Sequence, residues 1–212
     1  MKLSSITNPF PALAEGAVTE DVWELFREFP HDYQAFLLAQ NGGFVDEFQY
    51  TFQTGVPFKT ESVDNPSRDD CPVEFFGLPT LDIAAASTYP DDLLQVAVDH
   101  HAEAFLPSNL IAIARCVQNS LVCMSIAGED RGAVYYWDWY WQYPWCKEFF
   151  ERRIAAVDHP DIADVHDDPQ HPAYQAVVDA YNYATVVKLA DSFGEWLESC
   201  VDARDDEGAE SA

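Results

Sequence analysis

The chain has 212 residues, 48% of them hydrophobic and 14% aromatic, enough to fill a sizeable core. Against 11 basic residues it carries 37 acidic ones, a formal net charge of -26, which disfavours nucleic acid and anionic membranes as direct partners and favours basic proteins. No run approaches the roughly 18 consecutive apolar residues of a membrane helix, and the first nine residues hold no continuous apolar signal core, so a cytoplasmic protein with no membrane partner is expected.

In chain order, residues 1–17 read as an irregular, proline-containing lead-in. Thr19 is placed to cap a first helix, with Glu20 and Asp21 in its first turn and Val22, Leu25, Phe26 and Phe29 on one face. Pro30 opens a second helix, in which Tyr33, Phe36, Leu37 and Gln40 follow helical spacing, and Asn41-Gly42-Gly43 supplies the left-handed stop. Residues 47–52 alternate, predicting a half-buried strand with Phe48, Tyr50 and Phe52 on one face.

Residues 53–72 read as a long loop, 73–78 as a strand and 91–103 as a helix. Leu106-Pro107 then leads into the near-continuous apolar strand Leu110-Ile111-Ala112-Ile113-Ala114, followed by strands over 120–126 and 132–139, which together make an antiparallel meander. Residues 140–184 read as an insertion containing a helix over 147–157 and an acidic, histidine-bearing loop. One amphipathic helix is predicted over 184–201, with Val187, Ala190, Phe193, Trp196 and Leu197 at helical spacing, and residues 202–212 form a disordered acidic tail. The whole of 18–201 is expected to be one α+β domain, an antiparallel sheet with a meander flanked by helices.

Little in the chain points to chemistry. The five cysteines include no Cys-x-x-Cys pair and read as reduced, buried thiols; Cys116 and Cys123 flank a turn and are placed to face each other. His159, Asp161, Asp164, His166, Asp167, Asp168 and His171 concentrate potential metal ligands, yet prolines interrupt them and the spacing matches no metal signature, so no metal, cofactor or catalytic residue is assigned. His100 and His101 are adjacent and cannot chelate one ion from a helix. There is no Gly-x-Ser-x-Gly, P-loop or dinucleotide fingerprint.

Two features point to binding instead. In the run Trp137-Asp138-Trp139-Tyr140-Trp141-Gln142-Tyr143, a strand would put Trp137, Trp139 and Trp141 on one face and Asp138 and Tyr140 on the other, leaving one set as core or as a partner surface. The acidic pairs Asp91-Asp92 and Glu129-Asp130 are candidates for attracting a basic partner. Asp outnumbers Glu (22 to 15) and Arg outnumbers Lys (7 to 4), the balance of chains adapted to high salt, so general solvation is a second reading of the acidity.

Four patches resemble the SMI1/KNR4 (SUKH) superfamily in the right order: Pro30 with Asp32-Tyr33, Phe36-Leu37 and Asn41-Gly42-Gly43; Leu106-Pro107 into the apolar strand; Gly132-Ala133-Val134-Tyr135; and Ala190-Asp191-Ser192-Phe193 with Trp196-Leu197. Where members carry a glycine- and aspartate-rich turn inside the meander, this chain has Arg115-Cys116-Val117-Gln118-Asn119-Ser120, so no ligand role of that turn transfers. The resemblance implies a non-catalytic bacterial immunity protein that neutralises a polymorphic or contact-dependent toxin, a basic nuclease or deaminase domain. The charge and the aromatic run of this sequence then make Asp91, Asp92, Glu129, Asp130, Trp137, Trp139, Trp141 and Tyr143 the candidate partner-binding residues. A regulatory or scaffold module of the same fold, and a metal-dependent hydrolase, are the alternatives.

Overall fold

The computed structural model describes residues 1–7, 11–57, 68–81, 106–165 and 168–203. The expected helix over 91–103 with Asp91, Asp92, His100 and His101, half of the long loop (58–67), His166, Asp167 and tail residues 204–212 lie outside them.

Pro30 separates the first two helices, α1 (Glu20–Glu28) and α2 (His31–Gln40). Thr19 occupies the cap position of α1 through its backbone, its side chain making no cap bond, and Phe26 is the residue α1 buries. Tyr33, Phe36 and Leu37 point α2 into the core, where Tyr33, Phe36, Phe193 and Trp196 pack ring against ring at centroid distances of 5.0–5.9 Å. Asn41 ends α2 in the left-handed conformation at φ 38°, as expected of that stop.

The main sheet has six antiparallel strands: β1 (Gly43–Phe44), β4 (Pro72–Phe75), β5 (Leu110–Cys116), β6 (Leu121–Ser125), β7 (Val134–Trp137) and β8 (Val186–Ala190), in the order β1-β4-β5-β6-β7-β8. Its centre, β5 to β7, is the expected meander, and nearly every side chain in it is buried. A smaller sheet sets β2 (Tyr50–Gln53) between β3 (Asp69–Asp70) and β9 (Val201–Asp202). Between β7 and β8 come α3 (Pro144–Ala155), the single-turn α4 (Ile162–Val165) and α5 (Tyr174–Ala184); α6 (Phe193–Ser199) follows β8. This is an α+β fold.

Several sequence readings are corrected. The single helix over 184–201 is instead β8 and α6. After Thr185 ends the preceding helix, the β-branched pair Val186-Val187 opens β8 and pairs with β7, Trp137 opposite Val186 and Tyr136 opposite Val187, and Ser192 then caps α6 by accepting the Glu195 N–H at 3.2 Å. The first strand starts at Tyr50, because Phe48 adopts φ 62° in a turn and stands 58% exposed. The tail does not begin at Asp202, which pairs with Tyr50. Cys116 and Cys123 do not face each other, since Cys123 lies opposite Ala112. Within the described part of the lead-in, Leu3–Ser5 form a 3-10 turn, Ile6 and Leu13 enter the core and Thr7 bridges Phe44.

Between the end of α2 and the segment after β4 the backbones nearly touch. A Cβ on Gly42, at φ +84°, would lie 2.7 Å from both the Gly77 nitrogen and the Phe75 oxygen, and one on Gly77 would lie 2.3 Å from the Asn41 oxygen. Gly42→Ala therefore combines a left-handed alanine with a backbone collision, and is expected to cost about 2–4 kcal/mol. Urea denaturation checks this, and an unchanged midpoint would show that the approach is looser than described.

Candidate functional site

The aromatic run is a turn, not a strand. β7 ends at Trp137, which is buried, and Asp138, fully buried, folds the chain back by accepting the Tyr140 N–H at 2.9 Å, an Asx-type turn. Trp139 is thereby turned outward to 44% exposure, its N–H donated to Ser120 Oγ at 3.2 Å, while Tyr143 is 47% exposed and Trp141 half-buried. The expected common face for Trp137, Trp139 and Trp141 does not form. Trp139 stays in edge contact with Trp137 (5.9 Å), and Tyr143 with Tyr140 (5.2 Å), so the exposed rings rest on fixed neighbours. Beside them Trp141, Gln142, Lys147, Phe150, Glu151 and Ile154 enclose a cavity of about 290 Å³.

What holds this turn is a buried polar chain. Arg68 pairs with Asp138 at 2.6 Å, with side-chain exposures of 9% and 0%, and donates to the Tyr136 hydroxyl at 2.7 Å. The Tyr136 hydroxyl donates in turn to Asp70 Oδ2 at 2.6 Å, and the Cys146 thiol donates to Asp138 Oδ2 at 3.3 Å, joining α3 to the same carboxylate. Burial pushes the Cys146 thiol up to about 12, with the Asp138 charge adding to it, and the Cys71 and Cys200 thiols up to about 11 and about 12. These are packing thiols at neutral pH, as the sequence reading has them. Sequence reasoning missed this network, because nothing near Arg68-Asp69-Asp70 announces that Arg68 crosses to Asp138, 70 positions later.

Glu129 and Asp130 sit in the β6–β7 turn, at the opposite end of β7 from the aromatic turn, about 13 Å of strand away. Glu129 is exposed. Asp130 is engaged internally: its carboxylate accepts from Ser125 Oγ (2.9 Å), Tyr135 (2.7 Å) and Tyr183 (3.0 Å). Burial alone would raise its pKa, but these hydrogen bonds outweigh burial and hold it below the ordinary value. Through Tyr183 it ties the meander to α5. The structure therefore gathers Trp139, Trp141 and Tyr143 in one place and keeps Glu129 and Asp130 apart from them.

His159 and His171 each use Nδ1 to accept a backbone N–H two residues on, at 3.3 and 3.1 Å. Among the described residues no three His, Cys, Asp or Glu side chains are grouped to hold a metal ion, and no helix is long and apolar enough to cross a membrane.

The Asp70 carboxyl is raised to about 6, burial outweighing the hydrogen bonds from Tyr136 and the Cys71 N–H. A folded-state value above the unfolded one contributes stability that is fully present below about 4 and lost as pH rises through about 6. Asp70→Asn keeps an acceptor for Tyr136, gives up the one for the Cys71 N–H and removes the penalised charge. It is expected to raise unfolding free energy at pH 7 by about 1–3 kcal/mol, with the gain vanishing near pH 4. A loss of stability at pH 7 in denaturant titrations would show that the charged form is the one the site prefers.

The model of the SMI1/KNR4 family (SUKH-1) matches residues 22–199 of the chain. No curated protein and no solved structure matches it.

Proposed function

Starting from the chain's membership of the SMI1/KNR4 family (SUKH-1), we propose that it is a non-catalytic immunity protein of the cytoplasm that captures a basic toxin domain, of nuclease or deaminase type, and blocks it by occupying its surface. The carrying observation is the outward turn of Trp139 and Tyr143, held in place from beneath by the Asp138–Arg68 pair. Tryptophan and tyrosine that are fixed before contact bring large apolar area at small entropic cost, the property of interface anchors. The adjoining 290 Å³ cavity offers a socket for one apolar partner side chain, with Lys147 and Glu151 at its rim.

The acidity supplies the other half of this reading. With a net charge of -26, a basic partner is drawn in from beyond contact range, and nucleic acid is repelled from the complex. Glu129 and the acidic surface of α1 act in this long-range field whether or not they touch the partner. Asp130 contributes by fixing the β6–β7 turn. The single domain over 18–201, with 140–184 inserted before its last elements, is the unit we assign to this task. No residue is given a chemical role.

Field and anchors separate kinetically. Against a cognate basic toxin domain, the association rate is expected to fall at least about tenfold between about 0.05 and about 0.5 M ionic strength, with dissociation nearly unchanged. Trp139→Ala and Tyr143→Ala should each speed dissociation about tenfold or more and leave association nearly unaltered. Stopped-flow fluorescence reads both rates. Salt-indifferent association would remove electrostatic capture, and unchanged dissociation would move the interface away from the aromatic turn.

A further inference from the structure

The two margins of the main sheet end differently. At β1, Thr7 and Phe44 exchange backbone hydrogen bonds of 2.8 Å, so that margin is covered. Among the described residues β8 is the other terminal strand, paired with β7 alone. Arg153 takes the Val186 carbonyl at 2.6 Å, but beyond it no hydrogen bond joins the outer backbone edge of residues 187–190 to any described residue. Among the described residues this leaves about 13 Å of strand edge, with the outward N–H and C=O groups of alternate residues, without a backbone partner.

This open edge borders a trough of about 570 Å³ between β8 and the smaller sheet. Gln53 and Gly55 line one side, Lys188 and Leu189 the other, and Ser199 and Val201 complete it. The walls converge where a Cβ on Gly55 would come within 2.9 Å of Val187. A second hollow of about 430 Å³ shares Lys188, Leu189 and Ser199 and runs on to Asp191 and Glu195. Val201 is 52% exposed, an apolar side chain offered to the trough.

The charge at the trough selects the occupant. Lys188 is neutralised by Asp191 at 2.5 Å, which leaves Asp69 and Glu195 as carboxylates beside the open edge of a chain that is strongly acidic overall. Two such chains repel each other, which disfavours edge-to-edge pairing of copies. We propose that β8 is a strand-addition site which takes an extended, basic segment of a partner protein into the trough, its backbone pairing with residues 187–190 and its alternate side chains meeting Leu189 and Val201 on one side and acidic groups on the other. The site goes beyond the aromatic turn and does not depend on it: it requires only a partner with an accessible cationic strand.

The probe is a fluorescent peptide of about ten residues alternating lysine with valine and threonine, long enough to cover the edge, together with the same peptide N-methylated at alternate residues on the pairing side. Methylation keeps the charge and removes the ladder hydrogen bonds. With the full chain, the unmethylated peptide is expected to bind and to slow hydrogen exchange at residues 187–190, and the methylated one to bind at least about tenfold more weakly. Gln53→Arg combined with Ser199→Arg, both at exposed positions lining the trough, should weaken binding similarly, whereas Ala39→Arg on the exposed side of α2 should not. Equal binding of the two peptides would overturn strand addition in favour of charge alone. Absence of binding by the unmethylated peptide would overturn it as well. Protection of 187–190 that grows with protein concentration and without peptide would assign the edge to a second copy and overturn the proposal.

Discussion

The fold depends on one close backbone contact, where the end of α2 is pressed against the segment that leaves β4. Asn41, fully buried, reads that segment with both ends of its amide, accepting the Leu78 N–H at 2.9 Å and donating to the Leu78 carbonyl at 3.2 Å. The approach is possible only because residues 42 and 77 lack side chains. At the other end of α2, Asp32 accepts the Gly194 N–H at 2.9 Å, placing a carboxylate at the start of α6. The helix is thus pinned at both termini, and between the pins Tyr33, Phe36, Phe75, Phe193 and Trp196 close the core. Two sequence patches more than 150 positions apart, one centred on Asn41-Gly42-Gly43 and one on Ser192-Phe193-Gly194, are the two sides of one assembly.

That explains which parts of the chain were legible in its sequence. Glycine pairs, a proline before a helix and a continuous apolar strand carry local signals, so α1, α2 and the order and pairing of the meander could be read, though not the end of its last strand. The element over 184–201 could not, because Val187, Ala190, Phe193 and Trp196 satisfy a helical period while the run Thr185-Val186-Val187 satisfies a strand; the free place beside β7 decided between them. Phe48 looked inward by alternation and faces outward because its backbone is left-handed. The candidate surface was half legible. Tryptophans at 139 and 141 and Tyr143 stand out in any reading, but their direction is set by Asp138, whose partner Arg68 comes from a remote loop.

A buried carboxylate–guanidinium pair is weak support for stability, since removing both charges from water costs about as much as their attraction returns. Its effect here is on direction. Asp138 accepts from Arg68, from the Tyr140 N–H and from Cys146, so the first turn after β7 has one satisfied arrangement, and the start of α3 is held to it. A slack turn would let Trp139 fold back on the sheet and would make ordering it part of the cost of binding. A turn locked from beneath presents the ring already placed, so that on the proposed reading its contact energy goes to retaining the partner.

The same reasoning changes how the acidity is read. Arg68 is spent on Asp138, Arg115 on the buried Glu74 at 2.7 Å, and Arg153 on the carbonyls of Ala184 and Val186, so cations already scarce in the chain are drawn inward. The surface is left more uniformly negative than the composition alone conveys. Such a field is long in reach and poor in detail: it orients a basic protein toward the molecule but cannot choose where it settles. On the proposed reading, selection comes from features that act at contact range, the turn of aromatic rings at one end of β7 and the strand edge along β8.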